Sequence, residues 1–464
     1  MAIIHNLSIG FNKGRKRLWM VGAKLERFGF LPDSRFNVSE ASNDDGIEFT
    51  VDPNGKYKVT AKDRNNDSKP TKSLIDHKSD LLEEKFEVGQ LVRVQIQENK
   101  IIVTLHHQPK NEFLRESRLL RKLRNGEALT YCSLFHGGGV LDTACHDGFK
   151  RSLISTSCSI VNELENVYLD TSMRNNPELF NKDTLFIEGN ISHINMLRNV
   201  STQVDGIVCG IPCTGASRAG RSKNKLKCAE EHVDAGSMFF YFLTFVLSLN
   251  VSYIILENVE EYASTSSMAV IRGVLADLGY NTYETTIGGN QFGCLEDRKR
   301  LAVVALSKGI TEFDISTLKP SQVKEPNIKS ILEPIPLDSS LYREVPYLEA
   351  KALRDAANSK GFKRQLLTGD EPKCGTIGRL YHKWRSTEPM LVNSLNNKLQ
   401  RLFTPKEHCR LKKIPEKIIA GVSNTIAHEI LGQSVTWPAF SDLACHLGTA
   451  LKNWAYKQEL PSAA

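Results

Sequence analysis

The sequence predicts an α/β protein whose main part is a doubly wound sheet with helices on both faces, preceded by a smaller β-rich module. Three observations point there. From Thr130 onward, short apolar runs that read as strands alternate with longer helical patterns. The glycine run Gly137-Gly138-Gly139 follows the first of these strands at once, where a ligand can approach the backbone closely. The next strand, Ile160-Val161-Asn162-Glu163, ends in an acid roughly twenty residues past the glycines, the spacing at which α/β nucleoside-binding folds hold ribose hydroxyls.

Composition bounds the rest. A chain of 464 residues is long for one core and suggests two or three domains. The apolar share of 41% and charged share of 24% are those of an ordinary globular protein, and a net charge of +7 is compatible with a polyanionic partner without requiring one. Ten cysteines without a C-x-x-C pair argue against a metal site and for a reduced, intracellular compartment. The run Met238 to Leu256 carries Thr244, Ser248, Asn250 and Ser252, so it reads as a buried helix entering a strand and no membrane partner is expected.

Residues 1–106 form the β-rich module. Candidate strands are Leu18–Val21, Glu48–Val51, Tyr57–Ala61, Leu91–Ile96 and Lys100–Leu105, with a turn at Asp52-Pro53-Asn54-Gly55. Lys62 to Lys85 is polar and charged, which predicts a flexible insertion, and no internal repeat stands out. The arrangement Leu25-x-x-x-Gly29-Phe30, then Val88-Gly89-Gln90-Leu91-Val92-Arg93-Val94, is similar to the small swapped-hairpin DNA-binding barrels of bacterial toxin–antitoxin systems. A solvated β module of another role fits these residues equally. The cluster Lys13, Arg15, Lys16, Arg17 is expected to add phosphate contacts. Residues 107–129 read as a basic helical linker, its helix over 110–124 carrying Arg115, Arg118, Arg121, Lys122 and Arg124 opposite its leucines, a face suited to DNA or simply to solvent.

Within the α/β part, Asn190 ends the third strand and suits an adenine edge. The fourth strand, Gly206 to Ile211, is stopped by Pro212, and Cys213 follows on a loop loosened by Gly215 and Gly220. A thiol at a strand end is well placed for a nucleophile. Arg218, Arg221, Lys223, Lys225 and Lys227 would draw its pKa down and would suit a polyanion. A buried strand cysteine followed by a solvated basic loop is the alternative at this point. A fifth strand, Tyr253–Leu256, leads into Glu257-Asn258-Val259.

The ordered set resembles the DNA (cytosine-5)-methyltransferases from about Thr130 to Leu451. It comprises Phe135-x-Gly137-x-Gly139, Pro212-Cys213, Glu257-Asn258-Val259, Arg298-x-Arg300, the segment Arg401 to Leu411, and Gly432-Gln433-Ser434-Val435. The resemblance implies an S-adenosylmethionine-dependent methyltransferase sheet over 130–307, a target-recognition region over 308–396, and a segment over 397–464 that completes both. It implies S-adenosyl-L-methionine as cofactor, held by Phe135, Gly137, Gly139, Glu163, Asn190, Ile191, Gln433, Ser434 and Val435. Cys213 would add to ring position 6 of a flipped-out cytosine, making carbon 5 nucleophilic. Glu257 would protonate ring nitrogen 3, and Arg300, supported by Arg298, would hold the ring carbonyl. Arg218, Arg221, Lys223 and Lys225 would contact double-stranded DNA, bound by a monomer in a bacterial cytoplasm or nucleoid, with or without a cognate restriction endonuclease.

Five positions depart from the family's pattern: Ser133 before Leu-Phe, Asn190, Thr214 after the cysteine, Glu296 before the arginine pair, and Gln433. They fit a divergent branch that keeps the thiol, the acid and the arginines. An RNA cytosine-5-methyltransferase or a non-catalytic DNA-binding regulator with the same fold are the alternatives. Tyr342, Phe362, Lys363, Arg364, Tyr381, Lys383 and Trp384 suit base-edge and phosphate contacts, and many of them would equally build a small core. Thr404-Pro405-Lys406-Glu407 is a helix start with a capping box, a structural element in its own right.

Overall fold

The computed structural model describes residues 1–42, 46–62, 72–194, 202–212, 215, 228–233, 235–358 and 363–458. Two compact units emerge, Met1–Leu114 and Arg115–Ala464.

The second unit is built on a seven-stranded sheet. Its strands are β1 (Leu129–Leu134), β2 (Thr156–Glu163), β3 (Leu185–Glu188), β4 (Gly206–Gly210), β5 (Tyr253–Asn258), β6 (Tyr280–Gly288) and β7 (Lys299–Ser307). The order across the sheet is β3-β2-β1-β4-β5-β7-β6. β1 to β5 run parallel, and β7 enters antiparallel between β5 and β6. This is the doubly wound sheet expected from the alternation of strands and helices. β4, β5 and β7 are buried along nearly their whole length, which is why they read as continuous apolar runs rather than alternating ones. Helices Val140–Arg151 and Trp437–Lys457 belong to the core on one face, and Met238–Leu249 and Ser266–Asp277 to the core on the other. The strand order reverses between β1 and β4, so the carboxyl ends of these strands open a crevice there. The run from Met238 is indeed a helix followed by a strand, and among the described residues no helix is long and apolar enough to cross a membrane.

The region after β7 holds a second, four-stranded sheet of Arg343–Glu344, Leu399–Arg401, Pro389–Val392 and Gln365–Leu367, with its own small core. Tyr381 is part of that core: its hydroxyl donates to Pro389 O (2.6 Å) and accepts from Phe403 N (3.0 Å), so it is not available to read a base. The capping box at Thr404 is present, and Arg401 grips the same Glu407 through two hydrogen bonds of 2.6 and 2.9 Å. Lys363 and Lys383 are exposed, and Arg343 stacks on Trp384 at 3.8 Å. Phe362 lies outside the described residues.

The first unit corrects two expectations. The stretch Lys62–Lys85 contains strand Lys72–His77 and helix Asp80–Lys85. Ser73, Leu74, Ile75 and His77 are buried against Leu18–Val21, an apolar face hidden by the charged residues around it. The unit is also internally repeated. The element order of Ala2–Ser8, Gly10–Asn12, Arg15–Val21, helix Ala23–Arg27, Arg35–Glu40 and Gly46–Val51 recurs as Tyr57–Lys58, Thr60–Lys62, Lys72–His77, helix Asp80–Lys85, Leu91–Gln97 and Lys100–Leu105. Both of its sheets read as palindromes of the two halves. Equivalent strands pair antiparallel across the centre, Trp19 opposite Asp76 and Glu48 opposite Ile102, as a local two-fold axis requires. Each half also lends its first strand to the other's hairpin, Ala2–Ser8 to Leu91–Gln97 and Tyr57–Lys58 to Arg35–Glu40.

That interleaving alters the reading of the basic cluster. Arg15 pairs with Asp80, Lys16 with Glu87 (3.0 Å) and Arg17 with Asp76 (2.7 Å), so the second half neutralises three of the four cations assigned to phosphate. Residues 1–114 carry eighteen Lys and Arg against sixteen Asp and Glu, close to neutrality.

The linker helix runs His107–Asn125, and of the five cations on its basic face Arg121 and Arg124 are exposed while Arg115, Arg118 and Lys122 are turned inward. Arg115 is 1% exposed and donates to Ser307 Oγ (2.8 Å), Leu278 O (3.0 Å) and Gly279 O (2.6 Å). Arg118 and Lys122 both pair with the buried Asp205, which precedes β4. These cations fasten the helix to the edge of the α/β sheet. A chain starting at Pro109 is therefore expected to fold and one starting at Leu129 to be markedly less stable. Arg115→Met should cost about 3–5 kcal/mol in denaturant unfolding, because a buried charged donor set is lost.

Candidate active site

The strand register assembles the centre of the site. Gly210 at the end of β4 lies opposite Glu257 on β5. A side chain at Gly210 would bring its Cβ to 3.1 Å from Glu257 Oε2, so the absence of one lets the carboxylate lie beside the strand that leads into Pro212. Asn258 Nδ2 donates to Ile211 O (3.1 Å) and its Oδ1 accepts from Val259 N (2.8 Å), which fixes the end of β4 to the end of β5. Sequence reasoning assigned Asn258 no role of its own, although its place inside Glu-Asn-Val was the available signal.

Arg300, near the start of β7, completes the pair: its Nε lies 2.7 Å from Glu257 Oε1. Burial pushes the Glu257 carboxyl above the usual carboxylate range, and the nearby charges of Arg300, Arg298 and Lys412 oppose that shift. A carboxyl raised in this way keeps a larger protonated share near neutrality, as a proton donor needs. A cavity of about 260 Å³ lies at this point, lined by Val259, Asp297, Arg300 and Thr376 among others. Arg298 is placed differently from Arg300. It is 2% exposed, and its guanidinium donates to Ile377 O (3.4 Å) and Gly432 O (3.2 Å), so it faces backbone rather than the cavity. Cys213, Thr214, Arg218, Arg221, Lys223 and Lys225 lie outside the described residues.

The glycine turn follows β1. Phe135, Gly137 and Gly139 all have positive φ (57°, 59° and 77°). At Gly139 a Cβ would meet Ser172 Oγ at 2.4 Å, so only glycine fits. The turn is held from below by His136, whose Nδ1 meets Ser133 Oγ at 2.8 Å and Asp142 Oδ2 at 3.1 Å, and whose Nε2 meets Ser172 Oγ at 2.7 Å. Ser133, one of the departures, thus takes part in a local polar network. Glu163 at the end of β2 accepts from Gly137 N (2.6 Å) and Glu165 N (2.9 Å), and is 8% exposed. Asn190 Oδ1 accepts from Ser192 N (2.9 Å), and Ile191 is buried behind it. Helix Asn424–Gln433 brings the far end of the chain to the same turn, with Gln433 Nε2 3.7 Å from where a Cβ on Gly137 would stand. The Ser434 hydroxyl donates to Leu431 O (2.7 Å) and Val435 sits in the core, so these two shape the turn rather than face a ligand.

This cradle fits S-adenosylmethionine. A left-handed glycine turn allows close approach, and a carboxylate at the next strand end can accept from ribose hydroxyls. Glu163→Ala should weaken cofactor binding by about 1.5–3 kcal/mol, the range for a hydrogen bond to a charged group, measured by calorimetry on the folded variant. Unchanged affinity would contradict the assignment.

Comparison with known proteins agrees with this geometry. The sequence profile of the C-5 cytosine-specific DNA methylases matches residues 129–448. The type II methyltransferase M.SsoII of Shigella sonnei is 26% identical over 247 residues, 51% of this chain and 62% of that protein. M.BsuFI of Bacillus subtilis is 24% identical over 344 residues, 72% of this chain and 76% of that one. M.SsoII and its like are thus matched over about three fifths of their length. Among solved structures, the Dnmt2 methyltransferase of S. pombe has the same fold, with a TM-score of 0.53 at 17% identity over 72% of this chain and 100% of that one. A methyltransferase of Entamoeba histolytica, EhMeth, gives 0.53 at 18% identity over the same shares. With the profile covering more than half of its length, the chain belongs to the C-5 cytosine-specific DNA methylase family.

Proposed function

We propose that the protein methylates carbon 5 of cytosine in double-stranded DNA, with S-adenosylmethionine as methyl donor and Cys213 as covalent catalyst. The observation that carries this reading is the Glu257–Arg300 pair, held one strand away from the Gly210-Ile211-Pro212 end of β4 that runs into Cys213. The bound cofactor supplies an electrophilic methyl group. Cytosine carbon 5 is too electron-poor to attack it unaided. The Cys213 thiolate adds to carbon 6 while Glu257 gives its proton to nitrogen 3, and the electron pair displaced from the ring double bond makes carbon 5 the nucleophile. Arg300 neutralises the carboxylate left on Glu257 and would also hold the ring carbonyl. After transfer, the carbon 5 proton passes to water, its bonding pair re-forms the ring double bond and expels the thiolate, and the nitrogen 3 proton returns to the Glu257 carboxylate. A stacked base cannot undergo this attack, so the cytosine must leave the duplex, at a cost of roughly a few kcal/mol. The basic residues from Arg218 to Lys225 would offset that cost by closing on the phosphates. The exposed Lys363, Lys383 and Arg343, with the half-buried Trp384 stacked against Arg343, are groups of the recognition region suited to the duplex.

DNA containing 5-fluorocytosine cannot lose its ring substituent, so it should trap a protein–DNA adduct that survives denaturation. Cys213→Ala should form none and have no methylation activity. Glu257→Gln should lower kcat by about 10²–10⁴-fold, the range of general acid catalysis. Wild-type turnover in Cys213→Ala would exclude the covalent route. An adduct formed on fluorinated RNA and not on DNA would favour the RNA reading.

A further inference from the structure

We propose that Glu296 and Lys412 are positioning residues for the reaction, forming a buried ion pair that ties the recognition region and the cofactor edge to the Glu257–Arg300 pair. The inference rests on the acid role proposed for Glu257. Both side chains are fully buried, with Lys412 Nζ 3.5 Å from Glu296 Oε2. Glu296 Oε1 accepts from Ile377 N in the recognition region (3.0 Å) and lies 3.6 Å from Arg298 Nη1. The backbone joins the same segments, since Asp297 N donates to Cys374 O (2.8 Å) and Glu296 N to Leu411 O (3.1 Å). On the other side, Lys412 Nζ donates to Leu431 O and Arg298 to Gly432 O (3.2 Å), two carbonyls directly before Gln433 at the glycine turn. Three chain segments therefore meet on three buried ionisable side chains, two basic and one acidic, next to the strand that carries Arg300.

The charges matter as well as the contacts. Buried ions persist only when compensated, and removing one partner is far more damaging than removing both. The titratable groups facing Lys412 are Glu296, Arg298, Arg300 and Glu257, with His408 and Cys409 on the preceding helix and Cys294 and Cys374 on the flanking loops. Burial pushes His408 down and the three thiols up, so those four are neutral near pH 7. Lys412 itself is pushed down to about 7 by burial, with Glu296 opposing the shift. Where charged, Lys412 adds to Arg300 and Arg298 in drawing the Glu257 carboxyl down against burial, and Glu296 sustains that charge on Lys412. Losing either member of the pair leaves the other buried without its counter-charge.

The test is the pH profile of kcat for the full chain, with radiolabelled S-adenosylmethionine and unmethylated DNA several kilobases long. If Glu257 must carry a proton, the rate falls on the alkaline side, and this limb should disappear in Glu257→Gln. Glu296→Gln keeps the acceptor for Ile377 N but leaves Lys412 without its counter-charge, and Lys412→Met leaves Glu296 against Arg298 alone. Each should lower kcat roughly tenfold on the plateau below the limb, with KM for DNA and cofactor within about twofold of wild type, and should melt below wild type. The double variant should recover part of kcat and melt above either single one. Singles that keep wild-type kcat, or a double variant that melts no higher than they do, would overturn the inference. A limb that survives in Glu257→Gln overturns the acid role itself, and so separates the two failures.

Discussion

The pairing of β4 with β5 is the constraint on which the rest depends. It sets Gly210 against Glu257 and, through Asn258, ties Ile211 to the neighbouring strand end. Close contacts pin the register: a Cβ at Gly206 would meet the ring of its partner Tyr253 at 2.1 Å, and one at Gly210 would lie 3.1 Å from Glu257 Oε2. The segment running into Cys213 and the Glu257 carboxyl are thereby kept on adjacent strands. β7, entering antiparallel on the far side of β5, adds Arg300 from the opposite chain direction. The carboxyl ends of the parallel strands and the start of an antiparallel one thus converge on one edge of the sheet.

Around this edge the protein accepts an unusual density of buried charge. Glu296, Arg298, Lys412, Arg401 and Glu407 are all at most 2% exposed. Each ion costs several kcal/mol to desolvate, and such sets are tolerated where geometry and hydrogen bonds compensate. The Arg401–Glu407 pair closes the recognition region's small core onto a helix start, and the Glu296 cluster joins that region to the sheet. The far end of the chain returns by Asn424–Gln433 to the glycine turn of β1, so residues distant in sequence form one cradle.

Much of this was legible in the sequence, and the reasons are physical. Buried parallel strands leave continuous apolar runs, and the groups that do chemistry cluster at their ends. Glu163 stood out by its place at the end of a buried parallel strand, whereas Glu257 and Arg300 were picked out by motifs, and the fold sets them 2.7 Å apart. Side chains whose work is internal did not stand out in this way. Arg298 was expected to support Arg300 at the ring carbonyl and donates to backbone carbonyls; Tyr381 suited a base contact or a small core and is core. Arg115 and Arg118 suited DNA or solvent and fasten a helix to the sheet. A charge pattern reports where cations are, and only the fold shows which are already matched. The repeat in the first unit was hidden because its halves keep chemistry and not identity. Leu25 and Leu82 are both buried in the short helices, Phe30 and Phe86 follow them, and the left-handed position before each hairpin is Asp33 in one half and Gly89 in the other.

The account stands most directly on one measurement: sequencing that reads 5-methylcytosine in both DNA and RNA from cells expressing the protein, beside cells expressing Cys213→Ala. The arrangement around β4, β5 and β7 predicts 5-methylcytosine at one short DNA sequence with the wild-type chain and none with the variant. A mark confined to RNA, or a DNA mark that persists without the thiol, would contradict it.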